Sequence, residues 1–381
     1  MIDLKNAEIT HKVVIDTDYF LVNDFRVQDD TVYACGTRLL ESTWRGTIMK
    51  FPVENLTTAP NKTPNQYIEV DNTTSLTRMV EYKNDLEGCF EIVAIGYKEV
   101  VATPYSFKYG RMVDCKSLDS AKYQVRVRYD NGTQTEWYDD IVLTNNYVGI
   151  IGSVGNYTIS LRRTPRFSSN IMTGMIDTIY YYSFNHIEPG SPQHATEMGT
   201  DSIATACYVV NASGKFRTHL RQFNLQTMSM LNGHIIATNT KSEPLELAYN
   251  RTRRTYLLLE QLPLGSSSQY EYQILTQLPG GIFGTKTFYV PSQGFESIAS
   301  SRNNAEFILV GGSVFAQKTM PIIDPQNSCF NTSSLLIKNL APTIYSTIYD
   351  YTTSSTHVEG WHQLPLNPQP MQVYKKCLAT E

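Results

Sequence analysis

Asp139–Gly152, DDIVLTNNYVGIIG, is the stretch that decides the fold. Asp140–Thr144 is a short run rich in strand formers, and Asn145-Asn146 supplies a turn, because Asn tolerates the positive φ a tight hairpin needs. Tyr147–Gly152 is a more apolar run ending in glycine, and Tyr157–Arg162 follows as an alternating strand. Short strand, turn, apolar strand, turn, alternating strand is an antiparallel plan with nothing helical in it.

Copies of this plan occupy most of the chain. Asp24–Val27, a turn at Asp29-Asp30, Thr31–Gly36 (TVYACG) and Gly46–Val53 (GTIMKFPV) make one; Leu76–Tyr82, a turn around Asn84-Asp85, and Phe90–Tyr97 (FEIVAIGY) make another. Later copies drift. Ser202–Ala206 leads to Cys207–Asn211 and Lys215–Phe223, Leu245–Tyr249 leads to Thr255–Leu262 and Tyr270–Leu278, and Phe295–Ser300 leads to Ala305–Gly312 and Val314–Ile322. The last and least regular copy runs through Tyr345–Tyr351, His357–Leu364 and Met371–Leu378. First strands recur about every 53 residues, in the range of propeller repeats.

A four-stranded sheet of this size cannot bury both faces alone, so the units must stack face to face, and radial closure protects their edges. Glu8–Ile15 precedes the first unit where outer strands stand between the others, and the last copy stops after three strands. The expectation is an all-β chain, one domain over residues 1–381. It is a seven-bladed β-propeller of four-stranded antiparallel blades, closed by the N-terminal strand on the final blade. Six blades plus a C-terminal extension is the rival. Two packed β-sandwiches would suit the composition but would not require evenly spaced copies.

Composition agrees. Of 381 residues, 25 are Tyr and only 18% are charged, which is strand composition and excludes disorder and coiled coil. A net charge of −4 gives no reason to expect nucleic acid. No stretch has the apolar length of a membrane span, and no secretory h-region stands in the first twenty residues. Cys35, Cys89 and Cys207 read as small buried hydrophobes. Cys329 and Cys377 lie in polar segments and could pair.

NDFRVQDDTVYACG (Asn23–Gly36) and DDIVLTNNYVGIIG (Asp139–Gly152) resemble blades of the uncharacterised secreted or surface β-propeller proteins of gut Bacteroidetes. The resemblance is one of repeat style over most of the chain. It implies a propeller exported from the cytoplasm, placed in the periplasm, on the cell surface or outside, and implies no substrate.

Catalytic signatures are missing: there is no G-x-S-x-G elbow, phosphate loop, dinucleotide fingerprint, HExxH or calcium loop. No cofactor and no metal is expected. The histidines (His186 and His194 flanking a Pro/Gly-rich loop, His357 and His362 five apart) read as exposed or hydrogen-bonded. Arg162–Arg166 and Arg251–Arg254 read as solvated turns. Trp44, Trp137, Trp361 and the run Ile179–Phe184 read as packing between blades, with sugar stacking as the functional alternative.

The recurrence that could carry chemistry is acidic. Asp24, Asp140, Asp201, Glu246 and Glu296 each stand at or near the start of a first strand. If first strands line a channel, these carboxylates converge on one mouth, where they could bind a cation, hydrogen-bond sugar hydroxyls or serve acid catalysis. The bland alternative is that they cap strand starts and face water. The leading functional expectation is a non-enzymatic exported binding or scaffold module taking a glycan or protein ligand at the channel face. A glycan-active hydrolase or lyase and a structural subunit of a surface assembly are the alternatives.

Overall fold

Among the described residues Cys89–Ala102 is the longest strand, fourteen residues, and it shows why the second strand of each repeat is the most apolar. It pairs with Ser75–Asn84 on one side and Tyr105–Ser117 on the other. Ile92, Val93, Ala94 and Ile95 are all sealed from solvent, so neither face of the strand calls for polar alternation.

The computed structural model describes residues 2–3, 8–9, 20–40, 42–53, 65–70, 73–102, 105–118, 122–129, 136–154, 158–167, 176–181, 186–189, 194–211, 216–237, 243–250, 255–261, 269–277, 283–291, 295–300, 307–311, 322–323, 331–334, 336–339, 343–345, 354–360 and 362–364. Among them the chain is all β, arranged as successive antiparallel sheets, with no α-helix. It divides into two compact units, Met1–Asn131 with Tyr351–Glu381, and Gly132–Asp350.

The first unit holds two large sheets beside the short pair Ile2–Asp3 and Glu8–Ile9. The first runs in order Phe20–Gln28, Thr31–Leu40, Thr43–Pro52 and Asn65–Glu69; the second runs Ser75–Asn84, Cys89–Ala102, Tyr105–Ser117 and Lys122–Tyr129. Their facing sides bury a core that includes Cys35, Ile48, Ile68, Met79, Ile92 and Val125.

The second unit holds the third to sixth sheets. The third is Glu136–Leu143, Tyr147–Val154, Thr158–Pro165 and Ile176–Tyr181. In the fourth, the first strand comes in two pieces, His186–Pro189 and His194–Gly199, both paired with Ser202–Asn211, which is followed by Phe216–Asn224 and Ser229–Ala237. The fifth is Glu243–Asn250, Thr255–Gln261, Gln269–Gln277 and Phe283–Pro291; the sixth has three described strands, Phe295–Ser300, Phe307–Gly311 and Ile322–Ile323. Val142, Ile151, Leu161, Ile203 and Phe223 share a core between the third and fourth sheets.

The C-terminal part departs from the sequence expectation. Short strands at Asn331–Ser334, Leu336–Asn339 and Thr343–Tyr345 each add a fifth strand to the fifth, fourth and third sheets, in that reversed order. Within the first unit, Ser354–Gly360 and His362–Leu364 do the same for the second and first sheets. Residues expected to form a last repeat therefore serve as outer strands of earlier ones. Glu8–Ile9, the described part of the strand expected to close a ring, pairs with Ile2–Asp3. Met371–Leu378, Cys329 and Cys377 lie outside the described residues. Cys35, Cys115 and Cys207 are buried free thiols, whereas Cys89 is half-buried.

Candidate functional site

The recurring first-strand position is built by a β-bulge. Five of the six first strands shift register once near their start, between Val22 and Asp24, Leu76 and Arg78, Tyr138 and Asp140, Pro244 and Glu246, and Phe295 and Ser297. A bulge inserts one unpaired residue and re-aims the next side chain. It also explains the glycine that ends the apolar strand. Gly36, Gly96, Gly152 and Gly311 each pair with the residue just before a bulge. A Cβ on Gly36 would sit 1.9 Å from the Leu21 carbonyl oxygen, and one on Gly96 2.0 Å from that of Ser75, so at these two positions only glycine admits the bulged backbone; in the fifth sheet the same place is held by Glu260.

The residue after the bulge is Asp24, Arg78, Asp140, Glu246 or Ser297. In the fourth sheet the same place falls to His194. It pairs with Ala206, as Asp24 and Asp140 pair with Cys35 and Ile151, each partner lying five residues past its turn. Asp24 and Asp140 do the same work. Asp24 accepts from its neighbour's N–H (Phe25, 2.9 Å) and, across the gap to the second sheet, from the N–H of Met79 at 3.0 Å. Asp140 accepts from Ile141 at 2.8 Å and, from the fourth sheet, from Ala195 at 2.8 Å. Both cross-sheet bonds span 55 residues of sequence. These carboxylates are buried, so they neither face water at strand starts nor stand free.

Asp201 belongs elsewhere. Ser202–Asn211 is one continuous strand, and Asp201 sits in the hairpin turn before it with φ 58°. There it accepts from the Thr144 hydroxyl (3.0 Å), the Asn146 N–H (2.9 Å) and the Asn146 side-chain amide (2.7 Å). It fastens the turn of the third sheet to that of the fourth and does not join Asp140. Glu296 is the bulged residue of the sixth sheet; its side chain lies outside the described ones.

The two units differ around the shared position. In the first unit Asp24 carries an ion pair with Arg26 at 2.8 Å, and Arg78 occupies the next sheet's place. In the second unit the place is filled by Asp140, His194 and Glu246 in three successive sheets, and their ligating atoms lie within 4.8 Å of one another. Asp140 and His194 are buried and Glu246 half-buried. The structure thus brings together two of the five expected carboxylates, with a histidine that flanks a Pro/Gly-rich loop and reads in sequence as exposed or hydrogen-bonded. This trio could hold a metal ion.

A second trio, Glu87, Cys89 and Glu91, is equally close but already engaged. Tyr82 and Asn84 donate to Glu91, Lys116 pairs with Glu87, and burial with help from Glu91 pushes the Cys89 thiol up to about 11. It stands beside an open cleft of about 530 Å³ in the first unit, lined by Tyr33, Glu87, Gly88, Cys89, Phe90, Lys116, Ser117, Leu118 and Tyr123. Tyr33 stacks on Phe90 with centroids 5.0 Å apart. No motif marked this cleft, since its aromatic side chains come from three separated segments.

The first basic cluster is not a solvated turn. Arg162 is 1% exposed and lies over the Tyr138 ring, while Arg163 covers Tyr147 and donates to the Leu225 and Gln226 carbonyls. Arg251–Arg254 lies outside the described residues, as does Trp361. Trp44 is exposed. Among the described residues no helix is long and apolar enough to cross a membrane. Comparison with protein-family models and with curated proteins finds no match to this chain.

Proposed function

We propose that the chain is an exported β-propeller that binds glycan without cleaving it, using the aromatic cleft of the first unit. The observation that carries the reading is that cleft. Its volume falls in the range of ligand sites, about 300–1,000 Å³. It is lined by Tyr33, Phe90 and Tyr123 beside Glu87, Lys116 and Ser117, the mixture of aromatic and hydrogen-bonding groups that a sugar takes. Asp24 and Asp140 spend both carboxylate oxygens on backbone N–H groups, which favours a binding scaffold over a carboxylate-driven hydrolase. The blade reading rests on the shared bulge and its repeat. The reverse-order pairing of residues 331–364 favours six blades with a C-terminal extension over seven blades closed by the N-terminal strand. Export rests on the repeat-style resemblance of Asn23–Gly36 and Asp139–Gly152.

The test is a panel of soluble polysaccharides, read for binding and for new reducing or unsaturated chain ends. Binding without product, weakened at least tenfold by Tyr123→Ala, is the expected result. Product formation that disappears in Asp140→Asn would assign the chain to the enzymes instead.

A further inference from the structure

We propose that Asp140, His194 and Glu246 form a binding site for one divalent first-row transition-metal ion, of the Zn²⁺ or Mn²⁺ class. The ligand set is one imidazole and two carboxylates, which suits such ions better than Ca²⁺ or Mg²⁺, whose sites are built from oxygen alone. Bonds of about 2.1 Å in tetrahedral array put ligand atoms roughly 3.4 Å apart. Atoms already within 4.8 Å of one another reach that by side-chain rotation. Three protein ligands leave a coordination position open for water or for an oxygen of a bound molecule.

Three further observations point the same way. The ligands do not come from one loop: Asp140 and Glu246 each follow a bulge, His194 holds a regular pair with Ala206 in the sheet between, and all three are held by strand pairing in different sheets. Asp140 is aimed by N–H donors from Ile141 and Ala195. These bonds orient the carboxylate as outer-shell partners do in metal sites. The first unit supplies an internal contrast. Two residues after Asp24 stands Arg26, ion-paired to it, whereas two after Asp140 and Glu246 stand Val142 and Ala248, both buried apolar residues. An imidazole ligand, His194, stands in the sheet between.

The test uses the full chain, stripped with chelator and dialysed separately against Zn²⁺, Mn²⁺, Ca²⁺ and Mg²⁺, with metal content measured per chain. The expected result is one Zn²⁺ or Mn²⁺ retained at micromolar free metal, with Ca²⁺ and Mg²⁺ bound far more weakly. His194→Ala and Glu246→Gln should each weaken retention on the order of a hundredfold or more, beyond the 10–100-fold typical of outer-shell changes. Glu246→Gln replaces a half-buried group with its isostere, so it decides the matter if circular dichroism shows His194→Ala unfolded. Cys89→Ser should leave retention unchanged. No retained transition metal in the wild type, full retention in Glu246→Gln, or loss that follows Cys89→Ser would each overturn the site. Glycan binding enters none of these readouts, so the cleft and the metal site stand or fall separately.

Discussion

Glu81 shows at one residue how the first unit's burial becomes a pH dependence. Desolvation pushes its carboxyl up to about 7, with nearby Arg26 pulling the other way. The folded chain therefore holds a proton that the unfolded chain releases near 4.5. Its contribution to stability is fully present below about 4.5 and is lost as pH rises through about 7. Glu81→Gln should flatten this fall: comparing urea midpoints at pH 4.5 and 8, the wild type should drop more than the variant. Equal drops would show that Glu81 ionises in the folded chain as it does in water. Such a residue is invisible in sequence, because Leu76–Tyr82 reads only as the short first strand of its repeat and gives no measure of how deeply each polar side chain sinks.

The bulged first strand is the element that sequence reading half recovered. Asn23–Gly36 and Asp139–Gly152 are legible because a two-residue turn fixes their register and a terminal glycine marks the bulge partner. The carboxylates at Asp24, Asp140 and Glu246 fall on one structural position for that reason. The fourth copy breaks the pattern: its first strand, HATEMG, is polar and follows a Pro/Gly-rich loop. The uninterrupted strand Ser202–Asn211 then reads as two. That shift of phase puts Asp201 in the place that belongs to His194, and so hides the candidate metal ligand. The glycines give the element its own test. Gly36→Ala places a methyl group 1.9 Å from a backbone oxygen, which only backbone movement can relieve, so a loss of about 1–3 kcal/mol is expected by denaturant titration. Gly88→Ala, with nothing within 4 Å but φ +66°, should cost about 1–2 kcal/mol from the left-handed backbone alone, less than Gly36→Ala. Equal costs at the two positions would remove the bulge as the reason for the repeat's glycine.

At the scale of the whole molecule, the feature that spacing alone could not reveal is the run of outer strands at residues 331–364. Each is three to seven residues long, too short for a periodic signal, and its partner lies far back in the sequence. Lys122, for example, pairs with Gly360. Equal spacing counts copies; it does not say which strand a distant segment will join. Ending the chain before Asn331 removes the fifth strand from five sheets and leaves their outer N–H and C=O groups unpaired. Light scattering on the truncated chain is expected to show concentration-dependent association that the full chain lacks. A truncated chain that stays monomeric would mean those edges are harmless.

That arrangement also sets an order of events in the cell. A chain emerging from the ribosome has the other strands of all five sheets in place before any of their outer strands has been synthesised. It waits with adhesive borders until the closing segment arrives, and pairings of such sequence separation are slow to form. Two nascent chains that meet in this interval can lend each other that segment, since the same register is available in either direction of exchange. Crowded synthesis therefore favours strand-exchanged pairs over monomers, and slower initiation favours monomers.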